Sequence, residues 1–197
     1  MDRVKSEIAV VAAGFVVEEG LEYGPAKRRA ARQLGLPGRT AMPGNGEVED
    51  AVIEYIALFC VDTQAAELLA LRRLALTWMQ RMAAFRPHLA GSVWHGNATR
   101  RSDIYIQLFC DDCKSAEICL IDHQVDYLAH TIAGLHGEPV EALSVHALCP
   151  ELKEMVPVHL MVYDHDDVRG ALRHDAKGRM PRGDLAAVQR LLHDQSR

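Results

Sequence analysis

Two short clusters of residues in the middle of the chain carry the types that do chemistry. Gly91-Ser92-Val93-Trp94-His95-Gly96 is followed by Ser102-Asp103-Ile104-Tyr105. By themselves these residues read as a turn joining two strands. Asp103 then caps the second strand or serves as a metal-binding or nucleotide-binding carboxylate. A second candidate is Cys110-Asp111-Asp112-Cys113, with Cys119 and His123 nearby. Thiolates and imidazole are zinc donors, but such sites need four ligands in two spaced pairs. No second Cys-x-x-Cys is present, so structural or free thiols are expected, and no zinc. Asp164-His165-Asp166-Asp167 has oxygen donors for a cation and reads better as a solvated loop. Lys27-Arg28-Arg29 with Arg32 could contact phosphate, yet Ala26, Ala30 and Leu34 give that helix an apolar side, as an amphipathic surface helix requires. Arg169, Arg173, Lys177, Arg179 and Arg182 crowd the C-terminal region among acids. They could reach a nucleotide's phosphates or form a mixed charged surface.

The Gly-Ser/Ser-Asp pattern resembles the signature of the DNA polymerase β nucleotidyltransferase superfamily. Gly91, Ser92, Gly96, Ser102 and Asp103 fall at that signature's spacing. The resemblance covers roughly residues 62–165 and implies a nucleotidyltransferase-like fold. It also implies nucleotide binding by Gly91, Ser92, Gly96 and Ser102, with Arg100 and Arg101 close by. A glycine there lets backbone amides approach phosphates, and the serine adds a donor. The superfamily places two carboxylates at i and i+2 of a strand, so that both share one face. A third comes from a later strand. Together they hold two Mg²⁺ about 3.5–4 Å apart. Asp103 matches the first carboxylate and is the catalytic and metal-binding candidate. Tyr105 stands at the second position, and a neutral phenol is a poor Mg²⁺ ligand. His159, in Val158-His159-Leu160, matches the third, with Glu141 as its competitor. The cleft is therefore expected to present Asp103, Tyr105, Gln107 and His159, with Mg²⁺ compatible but not required.

Other classes lack their motifs. There is no Gly-x-x-x-x-Gly-Lys-Ser/Thr phosphate loop and no Gly-x-Ser-x-Gly elbow. Net charge is -5, which argues against a general nucleic-acid partner. Five unevenly spaced cysteines suit a reducing cytoplasm. No apolar run reaches membrane-spanning length. Ile8 to Val17 is apolar, but Asp2 and Glu7 precede it and Glu18-Glu19 follow it. It reads as a structural helix rather than a secretory signal.

Periodicity supplies the elements that must position these groups. Helices are expected over Arg3–Glu19, ending at Gly20, and over Pro25–Leu34. Gly35 to Gly46 holds six Gly or Pro in twelve residues and reads as a loop. A third helix over Glu47–Cys60 should bury Val48, Val52, Tyr55, Ile56 and Phe59. A fourth, capped by Asp62 or Thr63, carries Leu68, Leu71, Ala75, Trp78, Met82 and Phe85 and stops at Arg86-Pro87. The period then changes. Strands are expected over Leu89–Val93, Asp103–Cys110, Val125–Ala133, Val140–Leu148 and Val158–Tyr163, with helices over Lys114–His123 and Leu185–Leu192. In the second strand Ile104, Ile106, Leu108 and Cys110 should face the core. Asp103, Tyr105, Gln107 and Phe109 take the other side.

The expected fold is α/β: a helical N-terminal region (1–60), then a nucleotidyltransferase-like mixed β-sheet flanked by helices (61–197). The expected function is a catalytically degenerate member of that fold, binding a nucleotide, another small phosphate ligand or a partner in the former active-site cleft. Two alternatives accompany it. One is an active, metal-dependent nucleotidyltransferase acting on an unknown acceptor, using Asp103 with Glu141, Asp111 or Asp112. The other is a regulatory or scaffold protein acting through its helical N-terminus.

Overall fold

The computed structural model describes residues 3–135, 139–168, 174 and 177–194. The protein is α/β, with seven α-helices and a six-stranded mixed sheet among the described residues. Its chain divides into two compact units, residues 1–67 with 97–102, and residues 68–96 with 103–197. Arg169, Arg173 and residues 136–138, between the strands expected over Val125–Ala133 and Val140–Leu148, lie outside the described residues.

The first unit is helical: α1 (Arg3–Glu19), α2 (Tyr23–Gln33), α3 (Asn45–Phe59) and the first turn of α4 (Gln64–Arg81). Its core is rich in alanine. Ala9, Ala12 and Ala13 of α1 and Ala26, Ala30 and Ala31 of α2 are buried with Ile8, Val17, Val48, Val52 and Ile56. Side chains this small let helix axes approach closely, and burial of the aliphatic residues drives the packing. Glu47 accepts a 2.7 Å bond from the Gly44 amide, which starts α3 two residues before the expected Glu47. Phe59, expected in the core, is 69% exposed. It stands at the last residue of α3 and meets only the Tyr55 ring at 4.6 Å among the aromatic contacts of the described residues.

Half of the basic cluster of α2 is committed to this unit. Lys27 Nζ donates to the Pro43 carbonyl at 3.1 Å and to Asn45 Oδ1 at 2.9 Å. Arg29 pairs with Glu19 and lies over the Phe15 ring. Structural anchoring thus accounts for two of its four charges.

The second unit is built on the sheet, in the order β3-β4-β5-β2-β1-β6. The strands are β1 (His88–Ala90), β2 (Ile104–Cys110), β3 (Leu128–Ala133), β4 (Pro139–Cys149), β5 (Glu154–Asp164) and β6 (Arg182–Asp184). Only β2 and β5 run parallel; the other neighbours are antiparallel. Helices α5 (Gly91–His95), α6 (Lys114–Asp122) and α7 (Leu185–Asp194) accompany it.

Residues directly opposite one another in a sheet share a face, and the pleat alternates faces along each strand. One face is apolar at its centre. The cross-strand row Leu143, Leu160, Ile106, Leu89 is fully buried, and Ile104, Leu108, Val145 and Val158 extend it. Each such side chain contributes about 1.5–3 kcal/mol by leaving water. The opposite face is polar, carrying His130, Ser144, His159, Tyr105, Gln107, His88 and Arg182.

The expected Leu89–Val93 strand needs correction. Strand β1 stops at Ala90, and Gly91 turns the chain into α5 at φ 69°. An L side chain pays a steric penalty in that left-handed region, so the glycine lets the chain leave the sheet here. Buried Arg72 of α4 then fixes the helix, its Nε donating to the Val93 carbonyl at 3.0 Å and its Nη2 to the Trp94 carbonyl at 3.2 Å. The strand expected from Val125 begins only at Leu128, after Gln124 at φ 54°. No helix among the described residues is long and apolar enough to cross a membrane.

Candidate functional site

The parallel pairing of β2 and β5 creates the site. Its register sets His159 opposite Tyr105, and β4 sets Ser144 opposite His159. Asp103 lies immediately before β2. From these positions three side chains form one hydrogen-bonded chain. Ser144 Oγ is 2.6 Å from His159 Nδ1, and His159 Nε2 is 3.2 Å from Asp103 Oδ2. The chain runs from the buried hydroxyl of Ser144 to a carboxylate that is 32% exposed, through an imidazole that is 17% exposed. A carboxylate only accepts, so Nε2 must carry a proton. In the neutral ring Nδ1 then accepts, and Ser144 donates to it. The Tyr105 ring stacks on the imidazole at 4.8 Å and 29°. His130 approaches it edge-on at 6.2 Å.

The competing carboxylate lies elsewhere. Glu141 pairs with Val162, on the apolar side of the sheet, and binds Lys114 Nζ at 3.0 Å. Asp111 and Asp112 follow the far end of β2, and Asp112 caps the start of α6 through the Lys114 amide at 3.0 Å. The position at Asp103 therefore has one carboxylate and an imidazole with both nitrogens engaged. Two Mg²⁺ need several oxygen ligands, and this donor set does not suit them.

The remaining sequence candidates divide between the units. Gly91 and Ser92 open α5 directly after β1, and Gly96 closes it with its amide on the Ser92 carbonyl at 2.9 Å. Arg100, Arg101 and Ser102 belong to the helical unit. There Ser102 makes a reciprocal turn with Thr99: its Oγ accepts from the Thr99 amide at 3.0 Å, and its amide donates to the Thr99 carbonyl at 2.8 Å. The Arg100 amide donates to Glu67 at 3.0 Å. Gln107 shares the polar face with Tyr105 but is 5% exposed, closed over by Arg182, whose Nη1 donates to Gln107 Oε1 at 2.6 Å. Phe109 is likewise buried, stacked on Tyr163.

Sequence reading missed Ser144, His130 and the place of Arg182. A serine inside an apolar strand carries no mark of its partner fifteen residues later; only the β4–β5 register brings it to His159.

Among the other metal candidates, Cys119 Sγ lies 3.8 Å from His123 Nδ1, whose ring also meets the Cys119 carbonyl at 2.8 Å. All five cysteines are free thiols, Cys110 buried and Cys113 exposed. Burial first, then the nearby Cys113, Asp111 and Asp112, push the Cys110 thiol up to about 11. Asp164 Oδ1 accepts from the Asp166 amide at 2.9 Å, capping a short 3₁₀ turn. Among the described residues no three His, Cys, Asp or Glu side chains are grouped to hold a metal ion.

No protein-family model, curated protein or solved structure matches this chain.

Proposed function

We propose that this is a nucleotidyltransferase-fold protein whose former active-site cleft binds a nucleotide or another small phosphate-bearing ligand and has lost the two-metal chemistry. The order of parts supports this reading. A strand leads into Gly91-Ser92 and a helix, and Asp103 immediately precedes the antiparallel neighbouring strand. The next strand, β5, offers His159 where the superfamily signature would have its last carboxylate. The observation that carries the proposal is the Ser144–His159–Asp103 chain. It engages the one remaining carboxylate with an imidazole N–H where the superfamily would place metal. Mg²⁺ on the ligand's phosphates is compatible with the cleft and not required. The five free thiols fit a reducing cytoplasm.

The experiment pairs calorimetric titration of ATP, with and without Mg²⁺, with a transfer assay using all four labelled NTPs. Loss of metal ligands costs transition-state stabilisation, each ~1.4 kcal/mol being tenfold in rate. ATP binding without appreciable transfer is expected. Robust transfer that Asp103→Ala abolishes would establish the active-enzyme alternative. A scaffold role has one observation in its favour: Leu58, Phe59 and Val61 are 74%, 69% and 70% exposed around the end of α3. Absence of both binding and transfer would favour it.

A further inference from the structure

The polar face of the sheet continues past the cleft. In a single cross-strand row His159 faces Tyr105, Tyr105 faces Ala90, and Ala90 faces Arg182. Between the Tyr105 ring and Arg182 the face therefore carries only the methyl of Ala90. Arg182 is 8% exposed. Its Nη1 is held by Gln107, while its Nε is buried without a hydrogen-bond partner. No carboxylate pairs with it among the described residues. Tyr163, also on this face, is 2% exposed, and its Oη is buried with no partner. Burial pushes the Tyr163 phenol up and the nearby Arg182 guanidinium pulls it down, with Asp167 adding a smaller upward push and Gln107 a smaller downward one. A buried cation that no carboxylate pairs among the described residues and a buried hydroxyl without a hydrogen-bond partner are both costly, and an anion received by both would offset that cost.

We propose that Arg182 and Tyr163 form an anion subsite for a phosphate group of the ligand in the Asp103–His159 cleft, which rests on the nucleotide-binding reading above. Phosphate oxygens accept from Arg182 Nε–H and Tyr163 Oη–H. Gln107 holds the guanidinium plane in place. Arginine suits this role because its planar fork matches phosphate geometry and it never loses its charge near neutral pH. The subsite supplies, from the protein, the positive charge that metal ions supply in a two-metal enzyme.

The test is calorimetry in EDTA with inorganic pyrophosphate, ATP and adenosine, using the full chain as wild type, Arg182→Gln and Tyr163→Phe. Wild type is expected to bind pyrophosphate and ATP. Arg182→Gln should weaken both by about tenfold or more while leaving adenosine binding unchanged, and Tyr163→Phe should cause a smaller loss. Arg182→Gln also removes a buried charge that no carboxylate pairs among the described residues. Without anion it should melt at or above the wild-type temperature, and pyrophosphate should raise the wild-type melting temperature but not the variant's. Equal ATP affinity in wild type and Arg182→Gln would overturn the subsite and leave the cleft reading intact. Wild type that binds no pyrophosphate would overturn it as well. Pyrophosphate binding that needs Arg182, with no binding of ATP or adenosine, would keep the subsite as a site for free phosphates and sink the nucleotide reading.

Discussion

Replacing Ser144 by alanine removes one end of the hydrogen-bonded chain and little else, because the residue is 8% exposed and its hydroxyl meets His159 Nδ1 at 2.6 Å. The lost bond is worth about 0.5–1.5 kcal/mol net, and an acceptor left buried and unpaired costs about 1–3 kcal/mol. His159 is 17% exposed, so water can reach the ring in part, which favours the lower end of the second range. The expected destabilisation of Ser144→Ala is therefore about 1–2 kcal/mol. Asp103→Ala should cost less, under about 1 kcal/mol, because a carboxylate that is 32% exposed is already well solvated. If the three groups act as one chain, the double variant costs less than the sum. Trp78 and Trp94 both lie in the sheet-bearing unit, so urea melts followed by tryptophan fluorescence read this unit. Imidazole ¹⁵N spectra supply a direct second readout. The wild-type ring should be the Nε2–H tautomer when neutral, and Ser144→Ala should relax that preference. An Nδ1–H tautomer in wild type, or a Ser144→Ala melt superimposable on wild type, would refute the chain.

Three further outcomes follow from particular contacts. A Cβ on Gly183 would lie 2.2 Å from the Trp94 ring, so Gly183→Ala should destabilise the sheet-bearing unit by about 1–3 kcal/mol in thermal melts, and a smaller side chain at Trp94 should relieve most of that loss. Burial, the larger cause, and the nearby Arg182 hold His88 below its ordinary 6.5 despite its bond to the Arg86 carbonyl. The unfolded chain thus takes up this proton first, and stability should fall as pH drops below 6.5, less steeply in His88→Gln, as urea midpoints across pH 5 to 8 will show. Alkylation at pH 8 with mass mapping should modify exposed Cys113 well before Cys110, whose buried thiol is pushed up to about 11.

The sequence was most readable where periodicity was long and unbroken. The seventeen residues of α1 stop at Gly20 as expected, and the alternation of Ile104, Ile106 and Leu108 placed those side chains in the core. Period two also put Asp103 and Tyr105 on the face that His159 shares. What stayed hidden depends on long-range pairing. Strand β6 is three residues long and contains Gly183, too short for any period, yet it carries Arg182 into the polar face. A strand is expected over Leu89–Val93, yet from Gly91 the chain is helical, its Val93 and Trp94 carbonyls held by Arg72, some twenty residues earlier. Gln107 was placed on the right face, but its burial comes from Arg182, 75 residues away. Phe59 is expected in the core and is exposed, because helical spacing alone does not tell where a helix leaves its core.

The central claim is that a phosphate-bearing ligand occupies the cleft of Asp103, His159 and Tyr105 without metal. The most direct measurement follows the ring resonances of His159 and Tyr105 while ATP is titrated in EDTA. Saturable shifts of both rings, with the same curve as calorimetric binding, are predicted. Binding that leaves both rings unmoved, or no binding at all, would contradict it.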